Sequence, residues 1–313
     1  MGRRSRKGNP ISGWVILDKP LGMTSTQALG AVKRILKPQK AGHAGTLDPL
    51  ATGILPIALG EATKTVSHVQ DRGKIYRFSV KWGEARETDD SEGEIIASSD
   101  IRPDAEAIRA ILPAFTGEIE QVPPKYSAIK IGGERAYDLA RAGEEVEIPV
   151  RTVRIDTLEL IAHHGDTTEF ETHCGKGTYV RALGRDMALK LGTFGYISAL
   201  RRLAVGSFNE KCAISLDELS EIAHSAPPEE YLLSVKTALD DIPALAMTRE
   251  EANRLTHGQT LAMLSRQDKE RLIAAGIEPG EYSGTALALE NDKPIALVMF
   301  EGAEVKPVRV LNL

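Results

Sequence analysis

From Lys74 to Trp82 the sequence alternates without a break. Tyr76, Phe78, Val80 and Trp82 fall on one side, and Arg77, Ser79 and Lys81 on the other. Side chains on a strand repeat every two residues, so this pattern predicts a strand covered on one face, the habit of an antiparallel sheet. Thr168–Cys174 repeats the pattern, with Phe170, Thr172 and Cys174 on one face. Trp14–Leu17 reads as a short buried strand. Helical spacing follows Ser25, the expected N-cap, with Leu29, Val32, Ile35 and Leu36 on one side and Pro38 as the stop. A second helix is expected over 104–112. A third is expected from Thr178, its candidate N-cap, to Gly192, with Val180, Leu183, Met187 and Leu191 inward. Ser215 with Glu218, and Thr248 with Glu251, form capping boxes that start two more. Beyond Met247 the strand-like runs 285–289, 295–300 and 305–311 predict a small β-rich C-terminal module. Strands and helices mix without βαβ regularity, so the expected class is α+β, a largely antiparallel mixed sheet flanked by helices.

Composition narrows the class of function. The chain has 313 residues, 42% of them hydrophobic and 27% charged, with a net charge of −5. That profile fits a globular protein with one large domain and one small one. No apolar run approaches a membrane span, and the basic N-terminus has no apolar segment behind it. The two cysteines, Cys174 and Cys212, lack metal-ligand spacing and give no disulfide framework. The net charge does not announce a nucleic-acid binder. Basic residues nevertheless gather in the N-terminal tail, over 125–154 and at Arg201-Arg202. Such patches can hold phosphate over a Debye length of roughly 8–10 Å.

One loop stands out as chemistry. Gly42-His43-Ala44-Gly45-Thr46-Leu47-Asp48-Pro49-Leu50-Ala51-Thr52-Gly53 sets a single carboxylate between glycines and directly before a proline. Pro49 keeps Asp48 out of helical geometry, and the glycines permit close approach of a ligand. The carboxylate suits a nucleophile or a base; an ordinary Asp-Pro turn is the plainer alternative. Arg181, near the start of its helix, opposes the helix dipole; it is either an arginine that snorkels to water or one that meets a carboxylate or a phosphate. Tyr76 is either a core tyrosine or a ring that stacks on a planar ligand. His43 has no metal-spaced partner. His163, His164 and His173 read as loop or solvated residues, and the acidic run 87–94 as a solvated turn. Lys125, Lys130, Arg135 and Arg141 interleave with Tyr126 and Tyr137, a mixture suited to RNA.

Four stretches together resemble one family. They are Leu17-Asp18-Lys19-Pro20-Leu21-Gly22-Met23-Thr24-Ser25; the 42–53 loop with Gly60-Glu61-Ala62-Thr63-Lys64; Val122-Pro123-Pro124-Lys125-Tyr126-Ser127-Ala128-Ile129-Lys130; and Cys174-Gly175-Lys176-Gly177-Thr178-Tyr179-Val180-Arg181. With Leu200-Arg201-Arg202-Leu203 they run in order from about Ile11 to Leu216, as in the TruB family of bacterial tRNA pseudouridine synthases, which isomerise uridine-55 of the T arm. The resemblance implies roles. Asp48 matches the catalytic aspartate, Arg181 its partner, and Tyr76 the ring that packs on the target base and takes a proton late. Asp90 matches an acid of the arginine network, which revises the solvated-turn expectation for that residue. His43 matches the residue that helps extrude the base, and Tyr179 and Leu200 match pocket residues. Lys19 and Pro20 match braces of the loop, while Lys130 and Arg202 match supporting or RNA-contacting positions.

The implied organisation is a basic disordered tail (1–10), a catalytic domain (11–245) with an RNA-contacting insertion over about 123–152, and a domain (246–313) similar to the RNA-binding PUA module. The expected protein is a cytoplasmic monomer that binds the T stem-loop of tRNA and uses no metal, cofactor or membrane. The alternatives are a T-arm binder or folding chaperone, and a carboxylate glycosidase. The glycosidase needs a second acid opposite Asp48, and the only candidate, Asp90, would have its pKa lowered by the arginine.

Overall fold

The alternating segment is the middle of a nine-stranded sheet. The computed structural model describes residues 8–127, 129–132, 134–137 and 147–313. The chain runs β1 (Gly13–Lys19), α1 (Ser25–Leu36), β2 (Ala41–His43), β3 (Ala51–Leu59), α2 (Val66–Asp71) and β4 (Lys74–Trp82). A hairpin of β5 (Glu84–Arg86) and β6 (Ile95–Ser98) follows, then α3 (Ala105–Ile111) and β7 (Gly117–Gln121). Short strands β8 (Lys130–Ile131) and β9 (Glu134–Arg135) lead to β10 (Arg151–His164), β11 (Thr167–Cys174), α4 (Val180–Lys190), β12 (Gly195–Val205), β13 (Phe208–Asn209) and α5 (Leu216–Ser225). The large sheet has the order β1-β3-β12-β4-β11-β10-β7, with β2 also on β3 and β13 on β12. Its pairings are antiparallel except β3 with β12, which run parallel over Ala51–Gly53 and Leu200–Arg202. The expected α+β class is therefore what the chain adopts.

The inward residues of β4 are the predicted ones. Tyr76, Phe78, Val80 and Trp82 are buried, and α4 covers that face with Val180, Leu183 and Met187. Phe78 stacks on Phe170 of β11 with centroids 5.3 Å apart. The opposite face of β1 and β3 builds a second core, where Trp14 meets Phe208 at 5.6 Å.

Several local expectations change. Thr24 caps α1, not Ser25. Thr24 Oγ1 accepts from Gln27 N, and Gln27 Oε1 in turn accepts from Thr24 N. Ser25 is freed for a long-range contact described below. Helix α4 begins at Val180 after an uncapped Tyr179, because Thr178 turns its hydroxyl back to Gly175 O. His163 and His164 end β10 instead of lying in a loop, and His163 Nδ1 meets Thr168 Oγ1 at 2.8 Å. Within the segment expected to be a tail, Asn9 donates to Lys37 O and, through Nδ2, to Leu36 O, satisfying carbonyls that the end of α1 leaves open. Residues 1–7 lie outside the described residues.

The C-terminal sheet contains β14 (Ala244–Ala246), β15 (Leu261–Ala262), β16 (Thr285–Glu290), β17 (Lys293–Glu301) and β18 (Glu304–Val310), in the order β14-β16-β17-β18-β15. Helices α6 (Arg249–Thr256) and α7 (Arg266–Ala274) pack beside it. Helix α7 is absent from the sequence expectations, although Ser265 with Asp268 forms a capping box like the other two.

Candidate active site

The Asp48 loop joins β2 to β3, and its shape is held from below. Ser25 Oγ accepts from Leu47 N at 2.8 Å and donates to Leu47 O at 3.0 Å, so one buried hydroxyl satisfies both backbone groups of the residue before Asp48. Lys19 is 0% exposed and donates to Pro20 O at 2.8 Å and Met23 O at 2.6 Å. That fixes the exposed Pro20 turn, and Gly22 N then reaches Pro49 O at 2.9 Å. Lys19 is thus a brace. Its burial pulls the ammonium pKa down to about 8, against the opposing pull of Asp48.

Arg181 gathers three separate segments. Its Nε lies 2.9 Å from Asp48 Oδ2 and 3.6 Å from Asp90 Oδ2. One terminal nitrogen donates to Thr88 O at 2.9 Å, and the other to Tyr126 O at 2.8 Å. The side chain is buried, 5% exposed, and each of its three nitrogens has a partner. A cation on the first turn of a helix is unfavourable by itself; two carboxylates and two carbonyls offset that cost. Asp90, 2% exposed, sits in the β5–β6 loop, where Thr88 Oγ1 and Glu92 N donate to its Oδ1. The loop is stitched to β12 by Ile197 N to Asp89 O at 3.0 Å and Ser91 N to Ile197 O at 3.1 Å.

Asp48 itself is 37% exposed by its side chain, and it lines a cleft of about 420 Å³. Burial in that concavity raises the carboxyl above the ordinary aspartate range. Arg181 pulls it back, and the charge of Asp90 pushes it up again. The cleft is lined by Asp48, Tyr76, Tyr179, Arg181, Leu200 and Arg202, with Tyr126, Ser127 and Tyr137 from the insertion. Tyr76 and Arg202 are partners across β4 and β12, and Phe78 and Leu200 are the next pair. Tyr179 is positioned by Gln121, whose amide accepts from Tyr179 N at 2.9 Å and donates to Tyr179 O at 3.2 Å. Tyr126 OH donates to Glu87 at 2.7 Å, which ties the insertion to the Asp90 hairpin.

The remaining expected residues fall elsewhere. His43 is on β2 beside the cleft and not in its lining, and its Nδ1 is buried without a hydrogen-bond partner among the described residues. Burial, aided by Arg202, lowers its pKa and so disfavours the charged ring. Arg201 and Arg202 do not form a surface patch. Arg201 pairs with Asp18 and Glu210, while Arg202 is 1% exposed. The Lys130 side chain, the Arg135 side chain and Arg141 lie outside the described residues. Two cleft residues escaped the sequence: Gln70 and Lys74. Lys74 was legible in principle, since it stands in phase with Tyr76 on the apolar side of β4, where a lysine is out of place. Burial pulls its pKa down to about 8.

An ionised oxygen aimed by a guanidinium into a cleft with stacking rings can act on a flat nucleoside turned out of its helix. Comparison with known proteins agrees. The N-terminal domain model of TruB family pseudouridylate synthases matches residues 33–180, and the model of the tRNA pseudouridylate synthase B C-terminal domain matches residues 181–241. The tRNA pseudouridine synthase B of Rhodospirillum rubrum is 50% identical over 311 residues, which cover 99% of each chain. That of Bradyrhizobium diazoefficiens is 53% identical over 317 residues, covering 99% of this chain and 88% of the relative. Among solved structures, a Cbf5-Nop10-Gar1 complex is similar at 27% identity with a TM-score of 0.72, over 95% of this chain and 84% of that one. An H/ACA RNP bound to a substrate RNA containing 2′-deoxyuridine shares the fold at 23% identity and a TM-score of 0.72, over 100% of this chain and 92% of that one. Fold and sequence together define a pseudouridylate synthase. The chain belongs to the TruB family.

Proposed function

We propose that this chain converts uridine-55 in the T arm of tRNA to pseudouridine. The observation that carries the reading is the Asp48–Arg181 pair, 2.9 Å apart, at a cleft walled by Tyr76, Tyr179 and Leu200. The full-length relatives named for tRNA supply the substrate class. A stacked uridine cannot reach a carboxylate set within a cleft, so it is turned out of the RNA first, at a cost of a few kcal/mol. Asp48 then acts on the ribose, as a nucleophile or as a base. The C1′–N1 bond breaks, the uracil turns within the cleft, and C5 bonds to C1′. Tyr76 and Leu200 hold the freed base, and Arg181 keeps Asp48 ionised and aimed. The reaction conserves atoms and oxidation state, so it calls for no redox cofactor. The insertion over about 123–152 closes on the T loop, and the 246–313 module binds RNA in the manner of a PUA domain. The enzyme works as a monomer in the cytoplasm. No described helix is long and apolar enough to cross a membrane.

Tritium release from C5-labelled uridine in a T-arm stem-loop tests the proposal. The unaltered chain should release tritium without added cofactor or metal, and Asp48→Ala should release none. Asp48→Asn should still bind the stem-loop. An Asp48→Asn variant that makes no pseudouridine yet leaves function intact in cells would instead favour a binding or chaperone role on the T arm.

A further inference from the structure

Arg202 is the least explained charge in the cleft. It is 1% exposed, and among the described residues no carboxylate lies within ion-pair distance of it. Its Nε donates to Ile54 O at 2.6 Å and one terminal nitrogen to Gly45 O at 3.1 Å. Neutral carbonyls orient a guanidinium but do not neutralise it. Removing an unpaired ion from water costs several kcal/mol, and a neutral side chain would avoid the cost. Asp48 is committed to Arg181, 2.9 Å away. The group directly opposite Arg202 is Tyr76, its partner across β12 and β4, and opposed residues of an antiparallel pair project to the same face.

Building on the isomerase reading, we infer that Arg202 is a positioning residue that stabilises negative charge on the Tyr76 oxygen when Tyr76 removes the proton from C5 of the isomerised base. Once C5 has bonded to C1′, C5 carries both that bond and its hydrogen, and a double bond joins C6 to N1. Tyr76 gives its phenol proton to water, and the phenolate takes the C5 proton. The C5–H pair becomes the C5–C6 double bond, the C6–N1 π pair withdraws to N1, and N1 takes a proton from water. Nothing is oxidised or reduced, and Tyr76 ends as a phenol. The phenolate forms in a site that resists it: burial raises the Tyr76 phenol, and the Cys174 thiol from β11 and the Asp48 carboxylate from the loop raise it further. Arg202 is the charge that lowers it, and Lys74 stands in the same wall.

Single-turnover conversion of a T-arm stem-loop, carrying hydrogen or deuterium at C5, tests the assignment in two backgrounds. Arg202→Gln should slow conversion about 100-fold, the scale of a general base, and should enlarge the deuterium isotope effect over that of the parent. In a Tyr76→Phe background the same substitution should cost less than about 3-fold, since its target is gone. Arg202→Lys keeps a cation and should recover part of the rate. It gives the same two readouts if the glutamine variant does not fold. Equal losses in both backgrounds with an unchanged isotope effect would overturn the inference, leaving Arg202 as a brace for the Gly45 and Ile54 carbonyls. If the parent itself makes no pseudouridine, the isomerase reading fails first.

Discussion

Arg181 and Asp48 define each other. A buried arginine at a helix start and a carboxylate before a proline are each awkward alone, and each is explained by the other at 2.9 Å. The pair makes a signed prediction. Asp48 works ionised, and its carboxyl is raised by burial, so the acid limb of the single-turnover rate should lie above the ordinary aspartate range. Arg181→Met removes the largest influence that lowers it, leaving burial and Asp90 opposed only by the weaker pull of Lys19. The limb should then move to higher pH, with a rate loss of about 100-fold or more. Asp90→Asn removes a negative neighbour and should move the limb to lower pH. A pH profile in which the two variants shift the same way contradicts this electrostatic account. Much of this site was legible in single residues: Asp48 from its loop, Arg181 from its conflict with the helix dipole, and Tyr76 from its phase on β4. Asp90 was not, because nothing in an acidic run says which member folds inward. Only the family resemblance singled it out.

At the scale of elements, the parallel contact of β3 with β12 brings the loop to the cleft. Gly53 pairs with Arg202 there and has a φ of +96°. A Cβ on Gly53 would lie 2.2 Å from Arg202 O, so any side chain must push the strands apart. Gly53→Ala should destabilise the protein by about 2–4 kcal/mol, read from denaturant midpoints, and should lower activity with it. Ser25→Ala is a milder probe of the same junction. It leaves Leu47 N and O without their shared hydroxyl and should cost about 1–3 kcal/mol. Helices and alternating strands were predictable because periodicity is local. Helix starts were less so, since a serine or threonine can cap or can bond elsewhere. Ser25 and Thr178 both took the second course, and the choice depends on partners distant in sequence or on a preceding turn.

The whole molecule rests on contacts that join its two larger sheets. Leu287, Leu289, Leu297 and Leu311 of the C-terminal segment pack into the same core as Trp14, Ile16, Val205 and Phe208. Lys64 reaches Val310 O at 2.6 Å, and Glu61 accepts from Asn312 N at 2.9 Å, so the Gly60–Lys64 motif also anchors the chain end. Within the small module Arg271 donates to both oxygens of Glu251, at 2.7 and 2.9 Å, and bridges to Asp268 at 2.7 Å. The bond from Arg271 holds Glu251 below the ordinary glutamate range. A carboxyl with a depressed folded pKa stabilises above its unfolded pKa and loses that contribution as pH falls through the folded one. Glu251→Gln should therefore destabilise by about 1 kcal/mol at pH 7, and thermal unfolding at pH 3 should show little difference from the parent. By itself the sequence determined the α+β class, the strand faces and the carboxylate loop, because alternation, capping and proline act through near neighbours. Only the tertiary structure decided that Asp90 and Arg202 turn inward, and how the small module docks. Those outcomes depend on which buried charges and apolar faces meet across hundreds of residues.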